Sequence, residues 1–228
     1  MNDAAPHTPP RAVLFDLDGT LADSEAPIAA CIAAALADHG YTVPTAAVAA
    51  VLGPPLRGMV EQLVGAVDDA VHERIRVAYF RHYDRELPHI QPLPGALALL
   101  DALAAARIPL ALVTNKVEAG AFAQLDAMGL TARFAAIIGA DSAGAPKPAP
   151  APALAALARL DGASAAFAAF VGDRDEDMHC ALAAGIGLRI ALAGARPPDA
   201  LRTAGATHVA ATLFEVHTLL LGRVPADA

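Results

Sequence analysis

The sequence predicts an α/β protein: a doubly wound, Rossmann-like parallel sheet core with an inserted helical cap domain. Three observations support this. Short, almost continuous apolar runs alternate with stretches of helical length, the pattern of strands covered on both faces by crossover helices. One long interval carries helical patterning only. The polar clusters sit just after the apolar runs, where ligands meet an open α/β sheet.

The first strand is expected at 12–15, Ala-Val-Leu-Phe. Four helical patterns follow with no further strand, at 25–39, 45–51, 56–64 and 68–86. They are broken by Gly40, Gly53-Pro54-Pro55 and Gly65, and the interval closes on Pro88, Pro92 and Pro94. These punctuators bound an inserted helical domain over 22–92. The rhythm then resumes. Strands are expected at 110–114, 135–138, 167–171, 188–191 and 207–210. Helices are expected at 95–106, 118–127, 149–160, 176–185 and 198–204, with Gly129 and Gly185 at helix C-termini. The core is thus 11–21 and 93–228, preceded by a Pro-rich, disordered tail over 1–10.

Composition narrows the function. The 228 residues carry a net charge of −8 with no basic run, which argues against nucleic acid as a partner. No apolar stretch reaches the roughly 18 residues that suggest a membrane span, and the N-terminus lacks the charged and apolar regions of a secretory leader. Cys31 and Cys180 lie far apart in helical contexts, as buried thiols of a reducing compartment do. A cytoplasmic protein is expected, a monomer or homodimer.

Past the first strand lies Asp16-Leu17-Asp18-Gly19-Thr20, and past the second Thr114-Asn115-Lys116. Gly172-Asp173 leads into Asp177 after the fourth, and Lys147 precedes the helix after the third. Converging carboxylates repel one another unless a cation neutralises them, and an all-oxygen set with a phosphate suits Mg²⁺. A carboxylate aimed at phosphorus can act as a nucleophile, and a second one two residues on can move the protons. Only two of the 16 basic side chains are lysines, Lys116 and Lys147. A compact ammonium differs from a guanidinium fork at a crowded phosphate site.

Asp16-x-Asp18-Gly19-Thr20, Thr114, Lys147 and Gly172-Asp173-x-x-x-Asp177 resemble the four motifs of the haloacid dehalogenase superfamily. The stretches at 15–24, Val113-Thr114-Asn115-Lys116 and Lys147-Pro148-x-Pro150-x-Pro152 are similar to its phosphoglycolate phosphatase-like branch. The resemblance implies a Mg²⁺-dependent phosphatase that hydrolyses a small phosphorylated metabolite, phosphoglycolate being the leading candidate, through an aspartyl-phosphate. Asp16 would be the nucleophile. Asp18 would be the general acid/base, with its backbone carbonyl on the metal. Thr114 and Asn115 would hold phosphoryl oxygens, and Lys147 would bridge Asp16 and the phosphate. Asp16, Asp18, Asp173 and Asp177 would form the metal set. Dehalogenases lack the second acid that Asp18 supplies, and the absence of lysine from 22–92 argues against a Schiff-base mechanism in the cap. A sugar-phosphate mutase or a 5′-nucleotidase of the same superfamily is the alternative. Arg57, in the loop-bounded stretch after Gly53, is a candidate for reading a substrate carboxylate or second phosphate.

Overall fold

The computed structural model describes residues 8–194 and 196–222. Positions 1–7 of the expected tail, and 223–228 at the other end, lie outside the described residues.

The chain begins its fold with β1 (Ala12–Phe15) and a two-residue strand, β2 (Ala22–Asp23). Four helices follow: α1 (Glu25–Ala37), α2 (Thr45–Ala50), α3 (Leu56–Val64) and α4 (Asp69–Glu86). After a second two-residue strand, β3 (Gln91–Pro92), come α5 (Ala96–Ala105), β4 (Leu110–Val113), α6 (Glu118–Ala127) and β5 (Ala136–Ile138). The chain continues through α7 (Ala151–Arg159), β6 (Ala168–Gly172), α8 (Asp175–Ala183) and β7 (Leu188–Leu192). It ends with α9 (Pro198–Thr203), β8 (His208–Ala210) and α10 (Leu213–Leu221).

Six strands form one parallel sheet in the order β5-β4-β1-β6-β7-β8. The chain runs outward from β1 in one direction, then resumes on its other side at β6. This reversal beside β1 opens a crevice at the carboxyl edge of the sheet. Alternation along each strand sends side chains to two separate cores. Val13, Phe15, Leu110 and Leu112 face α5, α6 and α10, and the buried side chains of α1 and α4 continue that core. Ala12, Leu14, Ala111 and Phe170 face α7, α8 and α9. Both faces are covered, which is why the strands show little polar alternation in sequence.

The expectation that 22–92 carries helices alone needs correction. β2 and β3 pair antiparallel, Ala22 with Pro92 and Asp23 with Gln91. They form a short ribbon at the two ends of the segment holding α1–α4. Runs of two residues are too brief to show a period of two. The helix α10 was also absent from the expected elements. Its buried Leu213, Val216 and Leu220 stand at helical spacing, and Thr212 caps its first turn by accepting from Glu215 N at 3.2 Å. Elsewhere the expected strands and helices shift by no more than two residues at an end. Gly129 and Gly185 do follow helix ends, with φ of 69° and 74°.

Candidate active site

Asp16 ends β1, Thr114 follows β4, and Asp173 follows β6, so adjacent parallel strands deliver all three to the same edge. Lys147 arrives from the long β5–α7 connection. All four are buried, as is Asp177 in the first turn of α8. Lys147 Nζ donates to Asp16 Oδ1 and to Asp177 Oδ1, each at 2.6 Å, and to the Val113 carbonyl at 2.9 Å. Its three donors are all spoken for.

Asp177 is fixed from the other side. Its Oδ2 accepts from the backbone N–H groups of Asp173 at 3.1 Å and Arg174 at 3.0 Å, the reach-back of an acidic residue in the first turn of a helix. Asp173 Oδ1 accepts from the Thr20 hydroxyl at 3.0 Å, and Asp173 Oδ2 meets Arg174 Nε at 3.1 Å. Arg174 in turn pairs with Glu25 at the start of α1. Gly19 has φ of 79°, and a Cβ there would lie 2.7 Å from Asp173 Oδ2. The turn that carries Asp16 and Asp18 therefore needs a glycine for its backbone and for its space.

The electrostatics follow from burial. Removal from water is the largest influence on Asp16 and raises its pKa. Lys147 opposes the rise and Asp177 adds to it, leaving Asp16 at about 7. Burial, then the charges of Asp16 and Asp177, hold Asp173 well above the usual carboxylate range. Burial works against the charge on Lys147, but Asp16 and Asp177 outweigh it and raise its pKa. Oxygens of Asp16, Asp173 and Asp177 all lie within 4.8 Å of one another. Three buried carboxylates face Lys147, shared by Asp16 and Asp177, and Arg174, which Asp173 shares with Glu25, so the set is under-neutralised. Their all-oxygen donors fit a hard divalent cation.

The Asp18 side chain lies apart from that trio. Its Oδ1 accepts from Ser24 Oγ at 2.6 Å, Gln124 Nε2 at 3.0 Å and Lys116 Nζ at 3.1 Å. Burial tends to raise its pKa, but Lys116 and these hydrogen bonds prevail and lower it. Sequence reasoning placed Lys116 beside the site and gave it no role, included Ser24 only as the end of the 15–24 stretch, and did not name Gln124.

Thr114 Oγ1 accepts from Lys116 N at 3.1 Å, which leaves its O–H free to donate. Asn115 is placed differently from the phosphate-holding role expected of it. Its amide donates to the Gly53 carbonyl at 2.9 Å and the Lys147 carbonyl at 3.1 Å, and its Oδ1 accepts from Lys147 N at 2.9 Å. The side chain thus clasps the Gly53 loop to the Lys147 loop. Arg57 reaches the same cavity, but it pairs with Glu61 at 2.9 Å and Asp69 at 2.7 Å.

The site opens into a cavity of about 260 Å³ whose floor includes Asp16, Asp18, Thr114 and Lys147. Its roof is largely apolar, with Leu52, Leu56, Met59, Tyr79 and Phe80 from the helical segment. Arg57, His72 and Arg76 line the cavity beside these apolar side chains, and the acidic floor can take a small anionic ligand once a cation offsets its charge.

The class this architecture defines is an α/β enzyme core with a buried acidic centre at the carboxyl edge of a parallel sheet. A family model for haloacid dehalogenase-like hydrolases matches residues 13–191. The chain belongs to that family. It is 36% identical over 180 residues to a phosphoglycolate phosphatase of Mesorhizobium japonicum, covering 76% of this chain and 79% of the relative. A phosphoglycolate phosphatase of Xanthomonas campestris pv. campestris is 35% identical over 192 residues, covering 83% and 86%. Among solved structures, a hydrolase from Pseudomonas syringae superposes with a TM-score of 0.78 at 27% identity, covering 87% of this chain and 92% of that one.

Proposed function

We propose that the protein is a Mg²⁺-dependent phosphatase acting on a small phosphomonoester through an aspartyl-phosphate on Asp16, and that residues 22–92 act as its cap. Phosphoglycolate is the named substrate that the relatives suggest. One observation carries the reading. Asp16 sits buried at the tip of the central strand, on the cavity floor, with Lys147 at 2.6 Å and Thr114 beside it.

The chemistry uses these side chains in order. A phosphomonoester enters with its phosphoryl oxygens toward the Thr114 hydroxyl, and Lys147, its N–H groups held by Asp16, Asp177 and the Val113 carbonyl, supplies positive charge beside them. Asp16 attacks phosphorus, the bond from phosphorus to the leaving oxygen breaks, and Asp18 gives that oxygen a proton. Water then attacks the phosphorus of the aspartyl-phosphate and yields its proton to Asp18. The bond from phosphorus to Asp16 breaks, releasing phosphate and restoring both carboxyl groups. Asp16, Asp173 and Asp177, with the Asp18 carbonyl, would hold Mg²⁺. The bound cation would supply positive charge beside the phosphoryl oxygens. The apolar roof keeps bulk water from the acyl phosphate. The free, buried thiols of Cys31 and Cys180 suit a reducing, cytoplasmic setting.

The test is hydrolysis of 4-nitrophenyl phosphate and of phosphoglycolate with and without Mg²⁺, alongside Asp16→Asn. The reading expects metal-dependent release of phosphate by the wild type and none by the variant. No turnover of any phosphomonoester by a folded, Mg²⁺-loaded protein would sink it.

A further inference from the structure

The chain has two lysines, and the mechanism above uses only Lys147. The other, Lys116, is nearly buried, its side chain 9% exposed. Its ammonium donates to Asp18 Oδ1 at 3.1 Å, to the Tyr83 hydroxyl at 2.8 Å and to Gln124 Oε1. It also lies 4.5 Å from the centre of the Tyr83 ring. An ammonium has three donors, and three acceptors are in place. Lys116 therefore has no N–H left for a phosphate or a leaving group.

The partners close on one another. Tyr83 OH donates to Gln124 Oε1 at 2.6 Å, and Gln124 Nε2 donates to Asp18 Oδ1 at 3.0 Å. With Ser24 at 2.6 Å, three donors converge on the same oxygen of Asp18. Oδ1 is thus occupied by three donors, and no hydrogen bond among the described residues falls on Oδ2. Tyr83 belongs to α4 in the helical segment and Gln124 to α6 in the sheet-bearing core, so Lys116 also joins these two parts of the chain at Asp18.

We propose that Lys116 is a positioning residue. With Gln124 and the Tyr83 hydroxyl of the overlying helix, it locks Asp18 through Oδ1 and leaves Oδ2 to protonate the leaving oxygen. The proposal rests on the phosphatase reading above, and its test separates the two.

An alkyl leaving group needs a proton as its bond to phosphorus breaks, whereas 4-nitrophenolate leaves without one. The value of kcat/KM reports steps up to that departure. Lys116→Met is to be assayed with an alkyl phosphate turned over by the wild type, phosphoglycolate first, and with 4-nitrophenyl phosphate. General acid assistance contributes about 10²–10⁴-fold. The expected result is a loss of kcat/KM on the alkyl ester at least about tenfold greater than on the aryl ester. Tyr83→Phe, which keeps the ring and removes one hydroxyl, should shift the same ratio in the same direction by less. It also stands in should Lys116→Met not fold. Equal losses on both esters, or an unchanged ratio in both variants, overturn the positioning role and leave the phosphatase reading intact. A wild type that hydrolyses neither ester overturns both.

Discussion

At the scale of single residues, the site is a balance of buried charges. Lys147 is the one ammonium shared by Asp16 and Asp177, each at 2.6 Å. Breaking a buried pair by removing one partner leaves an uncompensated charge and costs about 3–5 kcal/mol. Lys147→Met should therefore lower unfolding free energy by about that much in denaturant titrations near neutral pH without metal. A loss within 0.5 kcal/mol, the range of an ordinary surface substitution, would show that the pair does not hold the fold. Asp16, Asp18, Thr114, Lys147 and Asp173 could be singled out in the sequence because each follows a strand or precedes a helix, where chain order alone implies convergence, and Asp177 because it lies in the first turn of the helix that follows Asp173. The environment of Asp18 could not. Tyr83 and Gln124 lie on different helices, and nothing local in the sequence says that their polar ends meet. Nor does position reveal that Asn115 spends its amide on two carbonyls, or that Arg57 is paired with Glu61 and Asp69.

At the scale of elements, patterning served where elements are long and failed where they are short or terminal. The helices α1–α4 show clear breaks at Gly40, Gly53 and Gly65, and the structure follows them. The two-residue strands β2 and β3 have no periodicity to find, and their pairing depends on contact between residues some seventy positions apart. The helix α10 was recoverable from Leu213, Val216 and Leu220, which are buried in one core with α5. Leu220 is completely buried. Truncating such a leucine removes apolar contacts and leaves a cavity, so Leu220→Ala should cost about 2–5 kcal/mol of stability in equilibrium unfolding. A change under about 0.5 kcal/mol, typical of surface positions, would show that α10 is not part of the working core. The Asn115 clasp makes a further prediction at this scale. Asn115→Ala frees the Gly53 loop, so KM should rise several-fold with a smaller change in kcat. A fall confined to kcat would instead place the amide on the reacting groups.

At the scale of the whole molecule, fold class and chemistry have a common origin. A parallel sheet covered on both faces must be built from apolar strands, so its polar residues collect at the strand ends. The reversal of strand order beside β1 turns one of those ends into a crevice. The site placed there is more acidic than Lys147 and Arg174 can neutralise, and this links metal, pH and stability. Asp16 moves from 3.8 to about 7 on folding, chiefly through burial, and Asp173 moves in the same direction. The folded metal-free protein therefore binds protons that the unfolded chain has released, and these groups cost stability as pH rises through that window. A divalent cation that binds the folded form would relieve the cost. Mg²⁺ should raise Tm more at about pH 8 than at about pH 5.5, and Asp173→Asn should lose most of the effect. A Mg²⁺ shift that is independent of pH, or unchanged in Asp173→Asn, would mean that the cation binds elsewhere.

The claim on which the rest depends is that Asp16 forms a covalent bond to phosphorus. Acid-quenching the Mg²⁺-loaded enzyme during turnover and mapping its peptides by mass spectrometry tests this directly. The account predicts a single hydroxylamine-labile phosphoryl group on the peptide bearing Asp16, absent from Asp16→Asn. Steady phosphate release with that peptide unmodified, or with the phosphoryl group on another residue, would contradict it.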